Sequence, residues 1–160
     1  MKKTIIYKNP NGDTRTAPKD VTYGQFQRAN NMHIIDVSSV MKRLGEVIER
    51  RGIVHDCTKK SSEPEFYRDF ISTINEGTNF VEGEWYQHHI NKERHHLLSR
   101  CPEDVNLIDV LEMVVDCTCA GLARSGEVRD LEINSDILEK AVKNTVKMIA
   151  DSIEVRNMED

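Results

Sequence analysis

Apolar residues recur at helical spacing along most of the chain beyond Asn31. In the first such stretch, seven residues share one stripe at offsets 0, 4, 7, 8, 11, 14 and 15, namely His33, Val37, Val40, Met41, Leu44, Val47 and Ile48. Gly52 follows Arg50 and Arg51 and provides a helix stop signal. The pattern predicts an amphipathic helix whose stripe, His33 included, faces the interior.

Three further helices are predicted downstream. Pro64, which follows Ser61-Ser62-Glu63, suits the first turn of a helix that extends to about Asn75. The stretch from Val105 to Ala123 is apolar almost all round, which is typical of a central buried helix. A final amphipathic helix is predicted from Ser135 to about Val155. Together with the histidine-rich stretch, these elements predict a mostly α protein of five or six helices.

The first 24 residues have a different character. Thr4-Ile5-Ile6-Tyr7 is strand-like, residues 9–13 are dense in turn formers, and Thr14-Arg15-Thr16 is placed to return as a second strand. We therefore predict a short N-terminal β-hairpin or arm over residues 1–24, followed by a helical domain over residues 25–160.

Composition and charge narrow the class of protein. With 38% hydrophobic and 31% charged residues in a chain of 160, an ordinary soluble domain is expected, and no segment is apolar for long enough to span a membrane. The N-terminus lacks the apolar core and cleavage site of a signal peptide, so we expect a cytoplasmic protein with its four cysteines reduced. A net charge of −5 argues against general nucleic-acid binding, although a bound metal would still allow a small anionic ligand.

Six histidines and two aspartates recur along the sequence. They are His33, His55-Asp56, His88-His89 and His95-His96, with Asp116 beyond them. Imidazole and carboxylate groups are the ligands that hold borderline divalent metals. His33 taken alone also suits a core histidine satisfied by a hydrogen bond.

Helix geometry limits what the segment from His88 to His96 can do. On one unbroken helix, His89 and His96 would share a face but lie about 10.5 Å apart along the axis. Metal–nitrogen bonds of about 2.0–2.1 Å could not join both to one ion. Either the helix breaks near Asn91 or the two histidines serve different positions, and a polar helix surface is the plainer alternative.

Three carboxylates lie on one stripe of the otherwise apolar helix: Asp109, Glu112 and Asp116. Burying an unpaired carboxylate is costly, so such groups are normally ion-paired or bound to a metal. We favour burial, with Asp116 as the metal ligand and with Asp109 and Glu112 orienting histidines. Solvent exposure, or a salt bridge to another helix, is the alternative.

The segment Ile53-Val54-His55-Asp56-Cys57-Thr58-Lys59 resembles the His-Asp-x-x-Lys segment of HD-domain metal-dependent phosphohydrolases. The ordered set resembles, more closely, a small HD-like family of bacteria and phages. The motifs that carry this resemblance run from residue 33 to about 125: His33, His55-Asp56, Lys59, Pro64-Glu65-Phe66, Trp85, His89, Asn91, His95-His96 and Glu112-Met113-Val114-Val115-Asp116.

The resemblance implies an HD-domain-like helical bundle with one or two divalent metal ions per chain: Mn, Fe, Zn, Ni, Co or Mg. It implies a primary metal site of His33, His55, Asp56 and Asp116. His89, with His95 or His96, would hold a second ion or contact the substrate phosphate. Asp56 and Lys59 would be catalytic, and Lys59, His95 and Arg124 would bind a small phosphorylated substrate, expected to be a nucleotide.

Two departures keep a second interpretation open. Many HD enzymes have a glycine before the position of Lys59, which this chain lacks, and the gap from His89 to His95 is shorter than in HD enzymes that cleave cyclic dinucleotides. The alternative is a catalytically inactive HD-like protein that binds a nucleotide or metal as a sensor or sequestering module. A structural metal protein is disfavoured because closed structural zinc sites are usually rich in cysteine. A homo-oligomer is compatible with either reading.

Overall fold

A computed structural model describes residues 3–158 and confirms a mostly α-helical fold. The described chain contains six α-helices: α1 Tyr23–Val54, α2 Cys57–Ser61, α3 Glu63–Glu76, α4 Glu84–Lys92, α5 Leu107–Ser125 and α6 Ser135–Asp151. Two strands, β1 Thr4–Lys8 and β2 Ile153–Asn157, complete the fold. Among residues 3–158, none of the helices combines the length and apolar character that crossing a membrane requires.

Helix α1 is longer than its sequence pattern predicts. It begins at Tyr23, inside the region predicted to be an arm, and continues through Gly52 to Val54. The expectation that its stripe faces the interior is wrong for much of the stripe, because Val37, Met41 and Ile48 are exposed. Periodicity identifies an apolar face correctly, but it does not say whether the same chain covers that face.

The two strands pair with each other in parallel, so the predicted N-terminal hairpin is wrong. Thr4 lies opposite Ile153 and Lys8 opposite Asn157. Residues 14–16 form a turn instead of a strand, because the Asp13 carboxylate accepts hydrogen bonds from the Arg15 backbone and guanidinium. The partner of β1 comes from the segment that was predicted to end the last helix, which stops at Asp151.

The chain divides into two compact units. Among the described residues, one comprises residues 3–49 and 146–158, and the other comprises Arg50–Thr145. The second unit carries the core cluster, formed by Leu97, Val105, Val110, Met113 and Ala141.

Helix α5 forms one side of this second unit. Asn106 caps its start in a capping box with Asp109, and Gly126 ends it in the left-handed conformation that favours glycine (φ 75°). The prediction of a helix buried all round is only partly correct: Ile108, Val110 and Met113 are buried, but Val115 and Leu122 are exposed. The buried face is the one that carries the acidic stripe toward the histidines.

Candidate metal centre

The His55-Asp56 pair lies at the tight junction between α1 and α2. Helix α1 ends at Val54 and α2 begins at Cys57, so only two residues connect them. Asp56 adopts a left-handed conformation with φ 52° and ψ 31°, the only positive φ of a non-glycine residue in the described chain. This conformation costs energy for most residues and is better tolerated by Asp and Asn. The sharp turn brings both side chains toward the same buried cluster.

Two groups of side chains place their ligand atoms within 4.8 Å of one another, and each group could hold a metal ion. The first group contains His55, Asp56 and His95, and the second contains Asp56, His89 and His96. Asp56 belongs to both groups. Five of the residues singled out from the sequence are therefore brought together.

The first group is arranged around the Nε2 atoms of two histidines. His55 Nε2 lies 3.3 Å from Asp56 Oδ2, and His95 Nε2 lies 3.5 Å from Asp56 Oδ1. Asp116 approaches the same two nitrogens, with Oδ1 3.5 Å from His55 Nε2 and Oδ2 3.9 Å from His95 Nε2. Asp116, predicted to be a metal ligand, thus lies beside the first group.

The second group depends on a break in the histidine-rich segment. Helix α4 ends at Lys92, so His96 folds back and its Nε2 lies 2.7 Å from Nε2 of His89. His89 Nε2 in turn lies 3.4 Å from Asp56 Oδ1. Of the two alternatives derived from helix geometry, the break is therefore the correct one.

Glu112 orients two of the histidines from the outer side. Its Oε1 lies 3.1 Å from His55 Nδ1 and 3.4 Å from His95 Nδ1. Only the His55 contact is a hydrogen bond, and because a carboxylate only accepts, it places the His55 proton on Nδ1 and leaves Nε2 of His55 with its lone pair toward Asp56. A ligating histidine typically has such an acceptor behind it.

A second buried acceptor, which sequence reasoning missed, stands behind His89. The Thr58 hydroxyl donates to Glu93 Oε1 at 2.7 Å, so it must accept from Nδ1 of His89, 2.6 Å away. The Thr58 amide donates to the same carboxylate oxygen at 2.9 Å. Thr58 and Glu93 are adjacent to the motifs, two residues after Asp56 and two before His95. That adjacency was the only signal that could have identified them.

Electrostatics differ among the three histidines for which a pKa shift is resolved. Burial, reinforced by His95 and His89, lowers the pKa of His96 to about 4, and burial also lowers the pKa of His89. Burial acts to lower the pKa of His95 too, but the Glu112 carboxylate outweighs it and the pKa is raised. His89 and His96 are consequently neutral near pH 7, which is the form that binds metals.

Several buried polar atoms of the cluster have no hydrogen-bond partner: Oδ1 of Asp56 and both ring nitrogens of His95. Leaving such atoms unpaired in a protein interior costs about 1–3 kcal/mol each. A divalent cation would satisfy the Asp56 oxygen and His95 Nε2 together. The donor set, four imidazoles and two carboxylates, therefore fits a borderline divalent metal.

Asp109 has a different role from the one expected. Its fully buried carboxylate pairs with Arg51 and accepts hydrogen bonds from Arg94 at 2.8 and 2.9 Å, rather than orienting a histidine. Arg51 also lies 3.2 Å from Glu112. The salt-bridge alternative for the acidic stripe is thus correct for Asp109, and the pair with Arg94 anchors the segment that carries His95 and His96.

The remaining predicted site residues are found in three settings. Lys59 forms an ion pair with Asp56 at the cluster. His33 is exposed on α1 and belongs to neither group. Arg124 is exposed at the end of α5, and it too lies outside both groups.

Trp85 supports the cluster through packing. It is buried, its ring stacks on His89 with centroids 4.7 Å apart, and Phe66 stacks on it at 4.0 Å. Trp85 is therefore a packing residue beneath His89.

The fold and the cluster together define a mostly α-helical protein with a candidate His/Asp metal centre. In a comparison with protein families, one family matches most of the length of the chain. The chain belongs to DUF5662, a family of unknown function, whose family model matches residues 22–154. Neither the curated proteins nor the solved structures contain a significant match.

Proposed function

We propose that this protein is an HD-type metal-dependent phosphohydrolase that cleaves a phosphate ester of a nucleotide or a related small molecule. One observation carries the proposal: imidazole Nε2 atoms from three separate segments converge on the shared carboxylate of Asp56. Hydrogen-bond acceptors stand behind His55 and His89, and the Glu112 carboxylate lies 3.4 Å from His95 Nδ1, which is the arrangement typical of a metal site and not of a hydrophobic core.

The residues that would hold metal are those of the two groups, with Asp116 added to the first. Because Asp56 is common to both groups, its two oxygens could serve one ion or bridge two. Mn, Fe, Zn, Ni and Co all accept mixed imidazole and carboxylate ligation. When bound, such an ion supplies Lewis-acid chemistry, lowering the pKa of water toward neutrality and neutralising phosphoryl oxygens.

Lys59 is the residue that would receive the substrate phosphate. Its ammonium lies on the Asp56 carboxylate, at the edge of the cluster, and about a third of its side chain is exposed. A bound cation would take over the neutralisation of Asp56, so Lys59 would become available to a phosphate oxygen as a point charge. Solvent access at Lys59, His55 and Asp116 marks this side as the entrance.

The first experiment measures metal content in the purified protein and in an Asp56→Asn variant. Asparagine tolerates the left-handed backbone at this position, so the change removes the charge with little backbone penalty. We expect one or two ions per chain in the wild type and loss of most of them in the variant. His88→Ala is the matched control, because His88 adjoins His89 but is exposed and outside both groups. A His33→Ala variant tests the one predicted ligand that lies apart.

The second experiment screens the metal-loaded protein for phosphate release over nucleotides with added Mn²⁺. Release that disappears in Asp56→Asn and persists in His88→Ala supports the phosphohydrolase. Metal binding without turnover on any phosphate ester would favour a binding or sensor protein instead. A chain that takes up no metal under any loading condition would contradict both.

A further inference from the structure

Helix α1 carries an apolar stripe that the described chain leaves largely uncovered. Its residues are spaced alternately by three and four positions, namely Ile34, Val37, Met41, Leu44 and Ile48, and are called here the α1 seam. Ile34 is 58% exposed, Met41 61%, Val37 48% and Ile48 41%. A strict three-four spacing is the pattern with which one helix packs along another in a coiled coil.

A groove runs beside the α1 seam within the same unit. Its walls are mostly apolar, with Val40, Leu44 and Val47 from α1 and Met148 and Ile149 from the last turn of α6, and its volume is about 390 Å³. Polar side chains at its rim are those of Lys3, Arg43, Asp151 and Ser152. Leu44 belongs to both the seam and the groove. Protruding side chains therefore lie next to an apolar cavity, as a self-complementary surface requires.

We propose that the α1 seam and this groove form an interface with a second copy of the chain. Two copies related by a twofold axis would each insert seam side chains into the other's groove. One interface would then bury both the seam and the groove of each copy. Ile34 and Ile48 at one set of seam positions and Leu44 at the other match the combination of β-branched residues and leucine that favours two-stranded packing.

The available area fits a dimer of modest size. With about 60–120 Å² of apolar surface per aliphatic side chain and 150–250 Å² per aromatic one, the seam offers on the order of 400 Å² once Tyr23 and Phe26 are included. Tyr23 lies two heptads before Val37 on the stripe, and Phe26 lies beside the stripe, one turn after Tyr23. A standard specific interface takes about 800 Å² from each partner, of which roughly 450 Å² is apolar. The groove walls supply the remainder.

Gly45 is consistent with close approach of a partner helix. It lies in the middle of α1, one residue after Leu44, where glycine costs about 0.5–1 kcal/mol relative to alanine. A Cβ added to it would touch nothing within 4 Å. Contacts within the chain therefore give no reason for glycine at this position, whereas a neighbouring backbone would.

The test is the mass of the full-length protein in solution, measured by sedimentation velocity over a concentration series. We expect the wild type to have a mass near twice 18.4 kDa, and Met41→Glu to have the monomer mass. Met41 is mostly exposed within its own chain, so the variant is expected to fold, and its circular dichroism spectrum checks this. Val128→Glu is the matched control, since Val128 is 59% exposed but lies in the loop after α5.

A monomeric wild type, or a Met41→Glu variant that remains dimeric, would overturn the proposal. Dissociation by Val128→Glu as well would also overturn it, because the effect would not be specific to α1. Metal content measured on the same samples keeps this result separate from the proposed function. The interface proposal requires no metal, so a dimer that takes up no metal under any loading condition would overturn the proposed function and leave the interface standing.

Discussion

Lys59 and a divalent cation compete for the same carboxylate. The Lys59 ammonium lies on Asp56, and burial alone would raise the pKa of Asp56, but Lys59 outweighs burial and lowers it. We expect Lys59→Met to tighten metal binding by about twofold to fivefold, the value of a partly exposed ion pair. Once loaded with metal, the same variant should bind inorganic phosphate about tenfold more weakly than the wild type, because a charged hydrogen bond is lost.

Isothermal titration with Mn²⁺ and then with phosphate measures both effects on one sample. Lys60→Met is the control, since Lys60 is the exposed neighbour and takes no part in the ion pair. The essential result is that Lys59→Met tightens the binding of metal and weakens the binding of phosphate. If metal binding weakened in Lys59→Met, Lys59 would support the site rather than compete for it.

The residues of the site differ in how far the sequence could identify them. His55, Asp56, His89 and Asp116 could be named because histidine and carboxylate are chemically distinctive and follow a known order. Thr58 forms hydrogen bonds with His89, 31 residues away, and with Glu93. No local pattern in the sequence indicates such contacts. His33 shows the opposite error, since its place on an apolar stripe indicated burial that the structure does not give it.

At the scale of elements, the buried carboxylate of Asp109 joins three segments of the second unit. It caps the start of α5 and pairs with Arg51 of α1 and with Arg94 of the segment after α4. We expect Asp109→Asn to lower the free energy of unfolding by about 3 kcal/mol, because two partly buried guanidinium groups lose their partner. Chemical denaturation, followed by circular dichroism, measures the change.

Asp104 provides the comparison for this prediction. It also pairs with Arg94, at 2.9 Å, but its side chain is 79% exposed. Asp104→Asn should therefore cost less than about 1 kcal/mol. Equal losses in the two variants would show that burial of Asp109 adds nothing to the anchoring of the segment.

Element boundaries were predictable where a local signal fixes them and not elsewhere. Pro64 gave α3 closely, since proline favours the first turn of a helix. Gly52 did not end α1, because glycine weakens a helix by only about 1 kcal/mol and the neighbouring residues continue it. The end of α4 at Lys92 depends on contacts that His96 and Arg94 make with residues farther along the chain or earlier in it. Sequence spacing alone could not decide between a helix that breaks here and one that continues.

At the scale of the whole molecule, the parallel sheet is a test of how the chain is organised. Ile6 lies opposite Val155 in the middle of the pairing. Ile6→Pro should disrupt it, because proline removes a backbone donor and fixes φ. We expect faster hydrogen exchange of the amides in β2, measured by mass spectrometry, with metal content unchanged, since every residue of the two metal groups belongs to the unit of Arg50–Thr145.

Ile6→Thr serves as the control, because threonine is β-branched and keeps the backbone donor. Loss of metal in Ile6→Pro alone would show that the sheet supports the metal centre. Unchanged exchange in β2 would contradict the pairing itself.

The pairing of β1 with β2 has a consequence for how the protein is made. Thr4 and Ile153 are neighbours in the sheet although 149 positions separate them in the chain. On the ribosome, β1 is made well before β2, so β1 remains an unpaired edge while all the helices between the two strands are synthesised. Closing so long a loop is intrinsically slow. The sheet therefore forms only after β2 has emerged, and the unpaired edge of β1 is exposed to mispairing with other nascent chains until then.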